Sequence, residues 1–262
     1  MKKILFAASE CVPFIKTGGL ADVVGSLPKY FNKEEYDVRV IMPKYLCIKE
    51  SLRSQMKYVT HFYTDFYWRT QYVGVLEMEY EGVHFYFVDS EFYFGGPWPY
   101  GNMYEDIEKF CFFSKAVLSI LPLIGFKPDI IHCHGWMTAL APLYIKKAYK
   151  DEPSFRDAKV VFSVFEDDFK ESFNADFVNR LVLKGVTKKD MAHLKAPVDY
   201  ATLCKLAIDY SDGVIQQSEN VNEEVMEYAR QAGKPILEYQ TPETFAEACN
   251  EFYDKVWETE QK

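Results

Sequence analysis

Apolar residues in this chain fall into short continuous runs that alternate with stretches of helical spacing. Residues 2–8 begin with two lysines and are apolar from Ile4 to Ala8, a run that is typical of a strand buried on both faces of a parallel sheet. Residues 18–31 then carry apolar side chains at helical spacing, and residues 37–42 form a second strand that Pro43 ends. The pattern predicts a βαβ unit, with which a doubly wound α/β fold begins.

The segment 55–90 has a different pattern, because β-rich stretches follow one another without a helix between them. Three stretches read as strands: 58–62, 71–80 and 83–89. The pair Glu81-Gly82 separates the last two stretches and indicates a β-hairpin. We therefore expect an antiparallel β-hairpin insertion over residues 55–90 at one edge of the sheet.

Regular alternation of helices and strands resumes at residue 105. Helices are predicted over residues 105–121, 136–149, 200–210, 219–232 and 241–257. Strands are predicted over residues 129–133, 159–164, 213–216 and 235–237. These elements predict one domain over residues 1–262, a Rossmann-like three-layer sandwich with a mostly parallel sheet. Residues 235–262 are expected to form a strand and helix that cap this sheet.

Composition limits the partners and the compartment. The formal net charge of −9 disfavours binding to nucleic acid or to an anionic membrane through a broad basic surface. No apolar run approaches the length of a transmembrane helix, so we expect no membrane partner. The six cysteines include no CxxC pair, which fits reduced thiols in a cytoplasmic protein.

The first candidate site is the stretch KTGGLAD, from Lys16 to Asp22, between the first strand and the first helix. A helix N-terminus offers unpaired N–H groups and partial positive charge, so it can hold a phosphate. Gly18 and Gly19 would let the backbone approach a ligand closely, and Lys16 could pair with a phosphate charge. The motif is neither a Walker A loop nor GxGxxG. On the residues alone, a structural turn explains the stretch equally well.

The second candidate is the histidine pair His132 and His134 at the end of a predicted strand. His-x-His suits a metal ion, but no third acidic or thiol ligand stands at motif spacing. The spacing therefore favours a buried, hydrogen-bonded histidine pair, and we expect neither a metal nor a cofactor.

Two further segments contain candidate polar or aromatic groups. Glu166, Asp167 and Asp168 follow the strand at 159–164 and could be catalytic or metal-binding carboxylates, although a solvated acidic loop is the favoured interpretation. The loop at 92–104 could position a sugar through Trp98 or Tyr100. An ordered aromatic loop that covers the insertion is the alternative.

Taken together, several segments resemble the N-terminal half of bacterial glycogen synthases and plant starch synthases. The matching segments are ASECVPFIKTGGLADVVGSLPK, VRVIMPKY, PYGNMYEDIEKFCFFSKAVL, KPDIIHCHGWMTALAPLY and, more weakly, LCKLAIDYSDGVIQQS. The resemblance is dense to about residue 145 and patchy afterwards. Those enzymes are retaining glucosyltransferases that extend α-1,4-glucan from a nucleotide-glucose donor, usually ADP-glucose.

The resemblance implies one half of a two-domain GT-B fold, with the active site in the cleft between two Rossmann-like halves. It implies that Lys16 contacts the donor phosphate and that the Thr17-Gly18-Gly19 turn approaches the transferred glucose and its pyrophosphate. Asp22 and Tyr100 match positions near the acceptor or the cleft. These six residues are the predicted substrate-binding set.

The chain departs from the family pattern at polar positions. The family reads H-x-H-D-W-H where this chain has Gly135 in place of the acid and Met137 in place of the last histidine. It reads T-V-H-N where this chain has Phe165 in place of the histidine that holds the donor sugar. A phenylalanine can neither donate nor accept that hydrogen bond, and such a loss typically costs about 10²–10³ in rate. We therefore assign no catalytic residue and expect impaired transfer.

A second departure concerns length. The family continues into a second Rossmann-like domain with the nucleotide pocket and an essential glutamate pair, whereas this sequence ends in a composed strand and helix. The sequence is thus interpreted as a short form without the C-terminal domain.

Two hypotheses from different classes follow. The first is a glucosyltransferase domain that transfers glucose from ADP-glucose to α-1,4-glucan, inactive or impaired alone and dependent on a second chain for the missing domain. The second is a non-catalytic glucan-binding or regulatory subunit that pairs with an active synthase. An unrelated sugar-phosphate or nucleotide-binding domain remains only if KTGGLAD is a coincidence.

Overall fold

A computed structural model describes residues 1–173, 175–195 and 197–258. Within these ranges, nine strands form one sheet in the order β3-β4-β5-β2-β1-β6-β7-β8-β9. The strands are β1 Lys2–Ala7, β2 Tyr36–Pro43, β3 Lys57–Phe66, β4 Arg69–Tyr80, β5 Val83–Asp89, β6 Ile130–His134, β7 Lys159–Val164, β8 Gly213–Gln216 and β9 Ile236–Leu237. From β5 to β9 all neighbouring strands pair in parallel, which confirms the predicted α/β fold with a mostly parallel sheet.

Helices connect the parallel strands, and short polar side chains begin several of them. The α-helices are α1 Gly19–Tyr30, α2 Glu50–Arg53, α3 Glu91–Phe94, α4 Met103–Ile124, α5 Ala141–Leu143, α6 Ala175–Arg180, α7 Tyr200–Asp209, α8 Glu223–Gln231 and α9 Pro242–Glu258. The side chains of Asn102, Asp199 and Asn222 accept hydrogen bonds from first-turn N–H groups of α4, α7 and α8. None of the helices in the described ranges combines the length and apolar character needed to cross a membrane.

The antiparallel edge of the sheet consists of β3 and β4. The turn between β4 and β5 has positive φ at both Glu81 and Gly82, +48° and +74°, which matches the turn type that two-residue hairpins favour. β5 also pairs in parallel with β2. The segment predicted as an insertion, 55–90, therefore contains two antiparallel edge strands and one strand that belongs to the main sheet.

The single helix predicted over residues 136–149 is wrong. The structure has a 3₁₀ turn at Trp136–Thr138, the short helix α5, and one π-helical turn at Tyr144–Ala148. Pro142 has no N–H group to donate to the carbonyl of Thr138, four residues earlier, so a regular α-helix is interrupted there.

Helix α9 packs on the face of the sheet near β8. Phe252 and Val256 of α9 are buried against Gly213 at the start of β8. Tyr253 is also buried, stacks on Phe31 at 5.8 Å between ring centroids, and lies 2.6 Å from Nδ1 of His132 on β6. α9 and β9 occupy most of the predicted cap, whose residues 259–262 lie outside the described ranges.

Candidate functional site

A pocket of about 480 Å³ lies at the carboxyl ends of the central strands β1, β6 and β7. Ligands of open α/β sheets bind at this edge, and the volume lies in the range of small-molecule sites. The residues that line it are Glu10, Thr17, Gly18, Gly19, Leu20, Tyr100, Met103, Trp136, Met137, Phe165, Glu166, Asp167 and Ser218. The pocket thus joins loops that are far apart in the sequence.

The loop from Thr17 to Gly19 lines one side of the pocket and leads into α1. The N-terminus of α1 has no side-chain cap hydrogen bond, and Gly18, Gly19 and Leu20 at this end of the helix line the pocket. The N–H and hydroxyl groups of Thr17 donate to a carboxylate oxygen of Glu10, over 2.5 and 3.0 Å. An internal carboxylate thus already binds part of the loop that the sequence predicts to hold a phosphate.

Lys16 and Asp22 form an ion pair with each other, with 2.7 Å between Nζ and Oδ2. Both side chains are about half exposed, and neither is among the described residues that line the pocket. The structure therefore brings four members of the predicted substrate-binding set to the pocket and leaves these two at its outside. Their roles toward a substrate stay predictions.

Glu10 is the acidic residue at this wall that the sequence analysis did not identify. Its side chain is only 3% exposed, and this burial raises the pKa of the carboxyl, while the hydrogen bonds from Thr17 oppose the rise. The only sequence signal was its place directly after a buried strand.

The aromatic loop at 92–104 contributes one of its two candidate residues. Tyr100 lines the pocket, and its hydroxyl donates to Oγ of Ser9 over 3.0 Å. Trp98 is 75% exposed and lines a separate groove beside α4.

Gly135 follows β6 next to the pocket and has no side chain that could contact a ligand. Gly135 has φ +73° and ψ 172°, a conformation that is essentially confined to glycine. Phe165 at the end of β7 is buried and gives the pocket an apolar wall.

The acidic segment after β7 is only partly the solvated loop that the sequence favoured. Glu166 and Asp168 are exposed, but Asp167 is half-buried and lines the pocket. Its Oδ1 accepts from the Tyr200 hydroxyl over 2.9 Å, and its Oδ2 accepts from the Trp136 N–H over 3.4 Å. Burial raises the pKa of Asp167 to about 7, although both hydrogen bonds oppose the rise.

The histidine pair lies beneath the pocket and is fully buried. His132 fits the prediction of a hydrogen-bonded core histidine, because its two ring nitrogens lie 2.6 Å from Tyr253 Oη and 2.6 Å from Ser163 Oγ. The two nitrogens of His134 have no hydrogen-bond partner among the described residues. Burial lowers the pKa of His134 to about 3, so the ring is uncharged at neutral pH.

Comparison with known proteins establishes the family. The family model described as the starch synthase catalytic domain matches residues 3–237. The chain belongs to this family. The resemblance to glycogen and starch synthases that the sequence motifs indicated is confirmed.

Two glycogen synthases with high sequence identity to this chain support the family assignment. The chain is 50% identical to a glycogen synthase of Lachnospira eligens over 226 residues, 86% of this chain and 47% of that protein. It is 56% identical to a glycogen synthase of Lachnoclostridium phytofermentans over 170 residues, 65% of this chain and 36% of that protein. The chain thus spans about half the length of the curated relatives it matches.

A solved structure shows the same fold in a plant starch synthase. The catalytic domain of starch synthase IV from Arabidopsis thaliana, bound to ADP and acarbose, superimposes with a TM-score of 0.76 at 22% identity. The match covers 92% of this chain and 51% of that one. The chain therefore has the Rossmann-like α/β fold of one half of a GT-B glycosyltransferase.

Proposed function

We propose that the pocket is the sugar-binding half-site of a glycogen synthase-type glucosyltransferase. In this proposal a nucleotide-glucose, ADP-glucose by family, donates glucose to α-1,4-glucan. The observation that carries the proposal is the pocket itself, in which the Thr17–Gly19 loop, the N-terminus of α1 and three carboxyl groups meet at the carboxyl edge of the sheet. A phosphate fits the helix N-terminus, and a sugar fits the part of the pocket nearer β6 and β7.

Two features support weak activity of this chain by itself. Phe165 offers an apolar ring where the family resemblance implies a polar group, and Glu10 places a carboxylate against the Thr17 amide. We infer that transfer requires a second polypeptide segment to close the cleft, in the cytoplasm where the nucleotide sugar is available.

Phe165 and Gly135 also favour a second candidate function. A pocket with an apolar ring and a glycine at the two positions where the family resemblance implies polar side chains fits a glucan-binding or regulatory subunit that pairs with an active synthase. The two functions predict different results when transfer is measured.

Binding can be tested by isothermal titration calorimetry with ADP, ADP-glucose and maltoheptaose. A Cβ atom added at Gly19 would meet no atom within 4 Å, so the Gly19→Leu variant should fold and narrow the pocket. We expect it to weaken ADP-glucose binding at least about tenfold, or ~1.4 kcal/mol. Gly101→Leu is the matched control, since a Cβ there also meets nothing within 4 Å and Gly101 does not line this pocket.

Transfer can be tested by adding a chain that carries the C-terminal domain of a relative, with labelled ADP-glucose and glycogen. Incorporation of label that Gly19→Leu abolishes would establish the transferase. Glucan binding without incorporation would favour the binding subunit. If the wild-type chain binds none of the three ligands, both functions are wrong.

A further inference from the structure

We propose that Asp167 is a ligand-binding residue of the pocket. Its carboxyl group occupies the space that a side chain at position 135 would fill, and from there it binds hydroxyl groups of the sugar. This inference rests on the proposed function, because it assigns the sugar part of the ligand to one side of the same pocket. It concerns a residue outside the predicted substrate-binding set.

The geometry at Gly135 shows that the space is already taken. A Cβ atom built on Gly135 would lie 2.7 Å from Oδ2 of Asp167 and 2.9 Å from Cδ1 of Leu20. Real Cβ atoms essentially never come this close to other heavy atoms, and the backbone conformation of Gly135 disfavours a side chain for a second reason. An acidic group at this wall of the pocket therefore comes from the loop after β7, not from the end of β6.

Two hydrogen bonds hold the Asp167 carboxyl group in place. The Tyr200 hydroxyl on α7 donates to one oxygen, and the Trp136 N–H donates to the other. A carboxylate offers about four lone-pair directions, so acceptor capacity remains for a ligand. The group is thus positioned by the protein before a ligand arrives, which lowers the ordering cost of binding.

The surroundings favour a neutral, hydroxyl-rich ligand group at Asp167. Glu166 in the pocket lining and the exposed Asp168 flank Asp167 in the sequence and are also acidic, so an anionic phosphate is disfavoured directly at the Asp167 carboxyl group. Trp136 and Phe165 add apolar ring surface beside Asp167. Apolar rings next to a hydrogen-bonding acid match a sugar, which has both hydroxyl groups and apolar C–H faces.

Burial supports this assignment by its effect on protonation. Because the pKa of Asp167 is raised to about 7, its charged and neutral forms coexist near neutral pH. The charged form accepts hydrogen bonds from hydroxyl groups, and the neutral form can also donate one.

The test compares three ligands by calorimetry: ADP, ADP-glucose and maltoheptaose. The variants are Asp167→Asn, which keeps the shape, and Asp167→Leu, which removes all hydrogen bonding. Asp168→Asn is the matched control, since its carboxylate is exposed and accepts from Asn222 outside the pocket. Thermal unfolding of each variant checks that it folds.

We expect Asp167→Leu to weaken the binding of maltoheptaose and of ADP-glucose about tenfold or more, and to change the affinity for ADP by no more than about twofold. Asp168→Asn should change the affinity for none of the three ligands. Equal losses for all three ligands would mean that Asp167 only supports the fold, and no loss would mean that it does not touch the sugar; either result overturns the inference alone. If the wild-type chain binds ADP-glucose no more tightly than ADP, the inference is again overturned, but nucleotide binding is still supported. If it binds no ligand, the proposed function falls with it.

Discussion

Glu10 and Asp167 line the pocket as carboxyl groups whose pKa values are raised by burial. A raised pKa in an acid means that the folded state prefers the protonated form. The two groups therefore cost stability when they are charged, which is common at functional sites, where polar groups are held out of water to meet a ligand.

Removal of the Asp167 charge should change the pH dependence of stability. The pKa of Asp167 in the folded state, about 7, exceeds the ordinary value, so the folded state favours the protonated form. The contribution of this group to the free energy of unfolding is therefore fully present below about pH 4 and is lost as the pH rises through about 7. We expect Asp167→Asn to match the wild type near pH 4 and to unfold at a higher temperature near pH 8. Thermal unfolding across this range measures it, with Asp168→Asn as the control for net charge. A difference that stays constant with pH would contradict the assignment.

The two core histidines should respond differently to the same substitution. His132→Leu leaves the buried Ser163 and Tyr253 hydroxyls without this partner, and each unsatisfied group costs about 1–3 kcal/mol. His134→Leu instead removes two nitrogens that have no partner within the described residues. We expect the first variant to lose about 2–5 kcal/mol and the second to keep or gain stability. Urea unfolding of both variants tests this, and equal losses would be the contradictory result.

The sequence predicts those site residues that are marked by their own neighbours in the chain, and it does not predict those that depend on contacts with distant elements. The Thr17–Gly19 loop and Tyr100 could be singled out because glycines, a helix start and family motifs mark them. Asp167 differs from its acidic neighbours through its burial and through its hydrogen bonds with Tyr200 on a distant helix and with the Trp136 N–H after β6. Such a difference arises from tertiary packing, so no local pattern contains it.

At the level of elements, the buried strands were the most predictable part of the chain. β1, β6 and β7 lie at the centre of the sheet, where both faces are covered, and their apolar runs follow from that position. The spacing of apolar residues did not predict the structure of the segment after β6. Apolar residues occur there at helical intervals, but Pro142 is among them and interrupts a regular helix. The resulting breaks place Trp136 and Met137 at the pocket.

The contact between α9 and β8 depends on the absence of a side chain at Gly213. A Cβ atom there would lie 2.7 Å from Cγ2 of Val256 and 2.9 Å from Cζ of Phe252, both buried. We expect Gly213→Ala to destabilise the protein by about 1–3 kcal/mol, since overpacking displaces α9. Urea unfolding measures this loss.

Gly101→Ala is the control for the general effect of replacing a glycine with alanine, because the added methyl group there would meet no atom within 4 Å. A Gly213→Ala variant as stable as this control would show that α9 does not pack as described.

For the whole molecule, the pocket at the carboxyl edge connects the fold to the family. The parallel core brings the loops after β1, β6 and β7 to one place, and the family match runs through all of these strands, over residues 3–237. The chain spans about half the length of the curated relatives it matches, and in the proposed function this pocket would form one wall of a cleft.

An amide-resolved NMR titration of the isotope-labelled chain with ADP-glucose tests most directly whether this pocket binds the sugar nucleotide. We expect the amides of Gly18, Gly19, Leu20 and Trp136 to shift in a saturable way, while those of the antiparallel edge strands β3 and β4 do not. Saturable shifts confined to other surfaces, or no shifts at these four amides at any ADP-glucose concentration, would contradict it.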